Sequence, residues 1–98
     1  MAAITDEQVE AVRALVAAIP AGSVATYGDI AAAADLSSPR IVGWIMRVDS
    51  SDLAWHRVVP ASGKPAAHLA SRQLELLRAE GVIARDGRIP LHEHRHSF

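Results

Sequence analysis

The 98-residue chain reads as a mainly α-helical domain with one small β-hairpin, and three observations predict that class. Apolar residues recur at helical spacing in several separate stretches, each bounded by a cap or a breaker. Asp86-Gly87 stands between two apolar arms, as a two-residue hairpin turn requires. No apolar run approaches the roughly 20 residues of a membrane span, so nothing in the sequence is expected to cross a bilayer.

Thr5 and Gln8 stand in capping-box spacing, and Val9, Val12, Val16 and Ile19 follow on one helical face. A first helix of about four turns is expected, closed by Pro20 and Gly22. "SVATY" alternates β-branched residues and reads as a short strand. Thr26 and Asp29 then form a second cap, starting a short helix through "YGDIAAAA" that ends near Asp35. Ser38 before Pro39 marks a third start, because proline at the first helical position has no amide hydrogen to leave unpaired.

In this third helix Ile41, Val42, Ile45 and Met46 share one side, while Arg40, Gly43, Trp44 and Arg47 lie within a sector of about 100° on the other. With the tight "DLSS" connection before it, the pair of helices reads as a helix-turn-helix with a basic outer face. "DSSD" is a loop, "LAWHRVV" is extended or irregular, and the Ser62-Gly63 step of "PASGKPA" favours a positive φ. A last long helix runs from about Ser71 to Gly81, and "VIARDGRIPL" supplies the hairpin. Helices around a small hairpin, with a helix-turn-helix inside, describe a winged-helix-like DNA-binding domain. Residues 1–98 carry no internal repeat and no linker, so one domain is expected, with residues 92–98 as a flexible tail.

The composition excludes several chemistries. There is no cysteine, which removes disulfides, zinc-thiolate sites and thiolate nucleophiles. The formal charge is only -1, but it is unevenly spread. Residues 1–36 set Arg13 alone against Asp6, Glu7, Glu10, Asp29 and Asp35, whereas residues 37–72 set Arg40, Arg47, Arg57, Lys64 and Arg72 against Asp49 and Asp52. A polyanion is expected to dock on that middle third. "MAAITDEQVEAV" lacks a basic start followed by an apolar block, so a cytoplasmic location is expected, nucleoid-associated in a bacterium.

Several residues suggest sites. His92, His94 and His96 alternate, but solvated histidines without supporting partners bind a metal weakly, so no metal or other cofactor is expected. His56 and Glu80 are of the types that form an imidazole-carboxylate pair, either to activate a nucleophile or as a structural hydrogen bond. Gly43 removes bulk between Arg40 and Arg47, as close approach to a nucleic acid requires. Trp55, followed by His56 and Arg57, suits either core packing or a pocket wall on which a base stacks.

"IPAGSVATYGDIA", "PRIVGWIMR", "WHRVV" followed by "SG", and "LLRAEGV" occur in an order and spacing similar to those of the C-terminal domain of O6-alkylguanine-DNA alkyltransferases. The resemblance runs from about Val9 to Ile83. In those enzymes the third motif is Pro-Cys-His-Arg, and its cysteine accepts the alkyl group. Here Trp55 stands in the cysteine's place, the mark of the alkyltransferase-like proteins, which resemble the enzymes but bind the lesion without dealkylating it.

The resemblance implies a non-enzymatic sensor that flips O6-alkylguanine out of duplex DNA from the minor groove and marks it for nucleotide excision repair proteins, acting as a monomer. Arg40 resembles the arginine finger that replaces the extruded nucleotide, and Tyr27 resembles the tyrosine that turns the 3′ phosphate. Gly43, Arg47, Ser62 and Gly63 would complete the DNA contacts. Tyr27, Met46, Trp55, Val58 and His68 would line the lesion pocket. His56 and Glu80 match the pair that activates the missing cysteine and would persist as a structural network. Chemistry agrees, since an indole is neither ionisable nor a soft nucleophile. Ala54 and Asp49 depart from the family's proline and asparagine, and Trp44 is larger than the glycine or glutamine usual there. Two other readings are a winged-helix transcription regulator reading sequence in the major groove, and a hydrolase that uses His56 and Glu80 to activate water.

Overall fold

The computed structural model describes residues 3–98. Helix α1 (Asp6–Ala18) begins with the expected reciprocal cap between Thr5 and Gln8. Strand β1 (Ala25–Thr26) leads directly into α2 (Tyr27–Ala33), where Thr26 and Asp29 form a second reciprocal cap. Each box satisfies two backbone donors that a helix start otherwise leaves open. A connection with Asp35 at φ 56 turns the chain into α3 (Pro39–Val48), capped by Ser38. α2 and α3 form the helix-turn-helix. Val42 and Ile45 of α3 are buried, whereas Arg40, Trp44 and Arg47 are exposed, as the periodicity predicts.

"LAWHRVV" resolves into a single 3₁₀ turn (Trp55–Arg57) followed by strand β2 (Val58–Val59). β2 pairs in parallel with β1, Ala25 opposite Val58 and Thr26 opposite Val59. Successive strand residues face opposite ways, so this two-stranded sheet divides the interior. Ala25 and Val58 join α1, α2 and α3 in one core with Val12, Val16, Ile30, Val42 and Ile45. Val24 and Val59 join Leu77, Val82 and Ile89 in a second. Helix α4 (Ala70–Ala79) covers the second core and ends at Gly81, φ +87, the expected C′ glycine.

The hairpin is shorter than its sequence pattern suggests. Asp86 and Gly87 both take positive φ, as a type I′ turn demands, but the arms pair only between Arg85 and Arg88. The second arm is drawn away because the Ile89 amide donates to the Gly63 carbonyl at 2.8 Å, and the Ile89 side chain enters the second core. The extended sheet is therefore β1 with β2.

Residues 92–98, expected as a flexible tail, are instead tied to Val24, just ahead of β1, and to Asp29 of α2. Their first residues belong to a short helix α5 (Leu91–His94), the Val24 amide donates to the His94 carbonyl at 2.9 Å, and the His96 amide donates to the Val24 carbonyl at 2.7 Å. Arg95 grips Asp29 with two bonds of 2.6 and 2.9 Å. Among the described residues no helix is long and apolar enough to cross a membrane.

Gly63 has φ +78, and a Cβ there would lie 2.5 Å from the Ile89 carbonyl oxygen; at Gly81, φ +87, a Cβ would meet nothing. Gly81→Ala is expected to cost about 1–2 kcal/mol from the left-handed backbone alone. Gly63→Ala is expected to cost more, because the backbone of Ile89 must also shift, and urea unfolding of the two variants measures the difference.

Candidate nucleic-acid interface

The site grows out of the 3₁₀ turn. Trp55, its first residue, stands at the wall of a cleft of about 440 Å³, large enough for a small organic group such as a nucleobase. Tyr27 from the start of α2, and Gly43, Met46 and Arg47 from α3, form one side. Ser50 and Ser51 of the following loop, with Ala66, His68 and Leu69 ahead of α4, form the other. The lining is mostly apolar with a few hydroxyls, the composition that orients a flat aromatic guest. The Ser50 hydroxyl is turned back on the Met46 carbonyl, which leaves Tyr27, Arg47, Ser51 and His68 as the polar side chains of the lining besides the Trp55 indole N–H. Burial raises the pKa of Tyr27, which keeps its phenol protonated as a hydrogen-bond donor.

Behind Trp55 lies the network that fixes the turn. His56 Nε2 donates to Glu80 Oε2 at 2.8 Å, its hydrogen required because the carboxylate only accepts. Arg57 reaches the same carboxylate through Nε at 3.0 and 3.2 Å and through Nη2 at 2.8 Å. Its Nη1 donates to the Ile19 carbonyl at 2.9 Å, and the Gly22 amide donates to Glu80 Oε1 at 3.3 Å. The three side chains are 12–19% exposed, so the pairing is well shielded from solvent. Its hydrogen bonds, that of Arg57 first, hold the Glu80 carboxyl down at about 2 despite the opposing effect of burial.

Two residues that support the site left no clear mark in the sequence. Gln73 is buried, and its amide nitrogen donates to the carbonyls of His56 at 3.0 Å and Val58 at 2.9 Å, locking the turn to α4. The only signal was a glutamine one helical turn before Leu77 on the apolar face. Arg13 of α1 donates to the Asp49 carbonyl at 2.8 Å and makes two bonds to Asp52, at 2.6 and 3.0 Å, bracing the end of α3 and its loop. Asp49 thus holds the end of α3 through an ion pair with Arg13.

The structure brings Tyr27, Gly43, Met46, Arg47, Trp55 and His68 to one cleft. It does not bring Val58 there: that side chain is 1% exposed in the first core, and its carbonyl is taken by Gln73. Strand alternation decides this, since Val58 must face inward for Val59 to reach the second core. Gly63 is likewise removed from the DNA contacts. Its amide, the one donor it has, is spent on the Pro60 carbonyl, so none is left for a phosphate, and its carbonyl accepts from the Ile89 amide. Its need for glycine comes from packing. Arg57, basic by sequence, is spent on Glu80. Arg40 and Arg47 make no ion pair among the described residues. Gly43 has no packing reason of its own, since a Cβ there would meet nothing within 4 Å. A helix-interior glycine costs roughly 1 kcal/mol against alanine, which suits a position kept open for something outside the chain.

Residues 7–82 match the family model described as the DNA-binding domain of 6-O-methylguanine DNA methyltransferase. The chain belongs to this family. It is 40% identical over 92 residues to the protein of Escherichia coli K12 named DNA base-flipping protein, covering 86% of this chain and 70% of that one. Among solved structures, S. pombe Atl1 bound to damaged DNA containing O6-carboxymethylguanine superposes with a TM-score of 0.86 at 29% identity, over 96% of this chain and 98% of that one. The O6-methylguanine methyltransferase of Mycobacterium tuberculosis superposes less fully, with a TM-score of 0.67 at 30% identity, over 84% of this chain and 52% of that one.

Glu80 ionises at about 2 in the folded chain rather than at 4.5, so it binds fewer protons folded than unfolded near pH 4. Its stabilisation, on the order of 3 kcal/mol by this shift, is present above pH 4.5 and lost as pH falls towards 2. In urea unfolding, the stability gap between the parent chain and Glu80→Gln is expected to stay level near neutrality and narrow below pH 4.5.

Proposed function

We propose that this chain detects O6-alkylguanine in duplex DNA, holds the base outside the helix without removing its alkyl group, and marks the site for nucleotide excision repair. The observation that carries this reading is Trp55. It stands on the cleft wall immediately before an intact His56–Glu80 pair, where alkyl transfer would need a thiolate, and the chain holds no cysteine. An indole offers a stacking surface and no lone pair able to displace an alkyl group from oxygen.

The remaining residues divide the work. α3 enters the minor groove with Arg40 leading from its first turn, and Gly43 lets the helix approach the sugar edges. Tyr27 rotates the phosphate beside the lesion, and Arg47 and Ser62 hold phosphates, which position the protein without reading sequence. Extrusion of a base costs a few kcal/mol of stacking and pairing. Arg40 filling the vacated stack and the base resting against Trp55 and Met46 offset that cost. His68, on the cleft lining, lies near the alkyl group. His56 and Glu80 serve the fold, since Arg57 already satisfies the carboxylate. No step requires a metal or another cofactor.

The test compares matched duplexes carrying guanine or O6-methylguanine at one stated salt concentration. The lesion duplex is expected to bind more tightly, and both DNA and protein masses are expected to stay unchanged after incubation with excess protein. Arg40→Ala is expected to weaken lesion binding by about 1–3 kcal/mol. Equal affinities would overturn the reading, because phosphate contacts alone do not discriminate; a protein gaining the mass of the alkyl group would overturn its non-enzymatic part.

A further inference from the structure

Helix α3 carries a stripe that the pocket and the core leave unused. Arg40, Trp44 and Val48 follow one another at four-residue intervals, and Trp44 and Val48 are 45% and 55% exposed. Neither lines the cleft: the stripe beside it, Gly43, Met46 and Arg47, does that. Leaving an indole half in water forgoes much of the large burial energy of that side chain. Trp44 is therefore poorly placed for the fold.

Its surroundings point to one kind of guest. Arg40 and Arg47, four residues before and three after, are exposed and make no ion pair among the described residues. Gly43 beside it is open. The surface thus offers an apolar plate flanked by cations, with an indole N–H at its edge that can only donate. The minor groove presents the complement: deoxyribose walls, phosphate rims and, on its floor, the acceptor atoms adenine N3 and thymine O2.

We propose that Trp44 is a second minor-groove contact, packing on the sugar edges of the duplex beside the lesion. This rests on the reading of α3 as the element that enters the groove. One turn separates Trp44 from Arg40, about 6 Å along the helix axis, or close to two nucleotide steps of about 3.4 Å each. Trp44 therefore meets undamaged nucleotides, widens the groove as apolar wedges do, and holds damaged and undamaged DNA alike. It supplies general grip, while Arg40 and the cleft supply discrimination.

The experiment measures binding of the full chain to both duplexes by fluorescence anisotropy, for the parent, Trp44→Ala, Trp44→Phe and Arg40→Ala. Trp44→Ala is expected to weaken both duplexes by a similar factor, on the order of 10-fold, with the lesion preference kept. Trp44→Phe recovers most of that loss, since the ring remains, and Arg40→Ala lowers the preference instead. Unchanged duplex affinity in Trp44→Ala would overturn the proposal and leave the patch to a protein partner. Tighter binding would overturn it by showing that the indole obstructs the groove, and loss of lesion preference alone would overturn it by assigning Trp44 to the pocket. Failure of the sensor reading is distinguishable, because it removes the parent's preference between duplexes while the effect of Trp44→Ala is read on undamaged DNA.

Discussion

The Glu80 carboxylate is the constraint on which the site depends. It accepts from His56, Arg57 and the Gly22 amide at once, and Arg57 extends the tie to the Ile19 carbonyl. The end of α1, the loop before β1, the 3₁₀ turn and the end of α4 are thereby held to one point. A shielded carboxylate left with only one donor would be costly, whereas one that is fully satisfied fixes its neighbours. The position of Trp55 follows, because its backbone is the first residue of the turn that this network closes.

The same network gives His56 and Glu80 a role in the fold that does not depend on chemistry. In this chain the bidentate contact from Arg57 is the largest of the interactions that keep Glu80 ionised, and Gln73 holds the carbonyls on either side of Arg57. Stability by itself therefore accounts for both His56 and Glu80. The pair is part of what holds the 3₁₀ turn at the back of the cleft, whatever the cleft receives.

The helix-turn-helix stands on separate supports. Arg13 fastens the C-terminal end of α3 through Asp49 and Asp52, and Arg95 fastens the start of α2 through Asp29. Asp29 ionises below the usual carboxylate range chiefly because of Arg95. These pairs lie at the surface, where each contributes little by itself. Their effect is geometric: they hold the ends of the two helices that present Tyr27, Arg40 and Trp44.

Much of this was legible in the sequence because it is local. Both capping boxes, the Ser38-Pro39 start, the two faces of α3, the Gly81 stop and the Asp86-Gly87 turn are settled by interactions within a few residues. The missing cysteine needs no structure at all. What required the tertiary structure is what strands and distant ion pairs decide. β1 and β2 are only two residues each and 32 positions apart, from Thr26 to Val58, and their pairing alone turns Val58 into the core and off the cleft wall. Gly63 and Ile89, His94 and Val24, and Arg57 and Glu80 meet for the same reason. The periodicity of a sequence fixes which face of an element is apolar, but a backbone group or a charge takes whichever partner the folded chain brings within reach, and no local pattern names that partner.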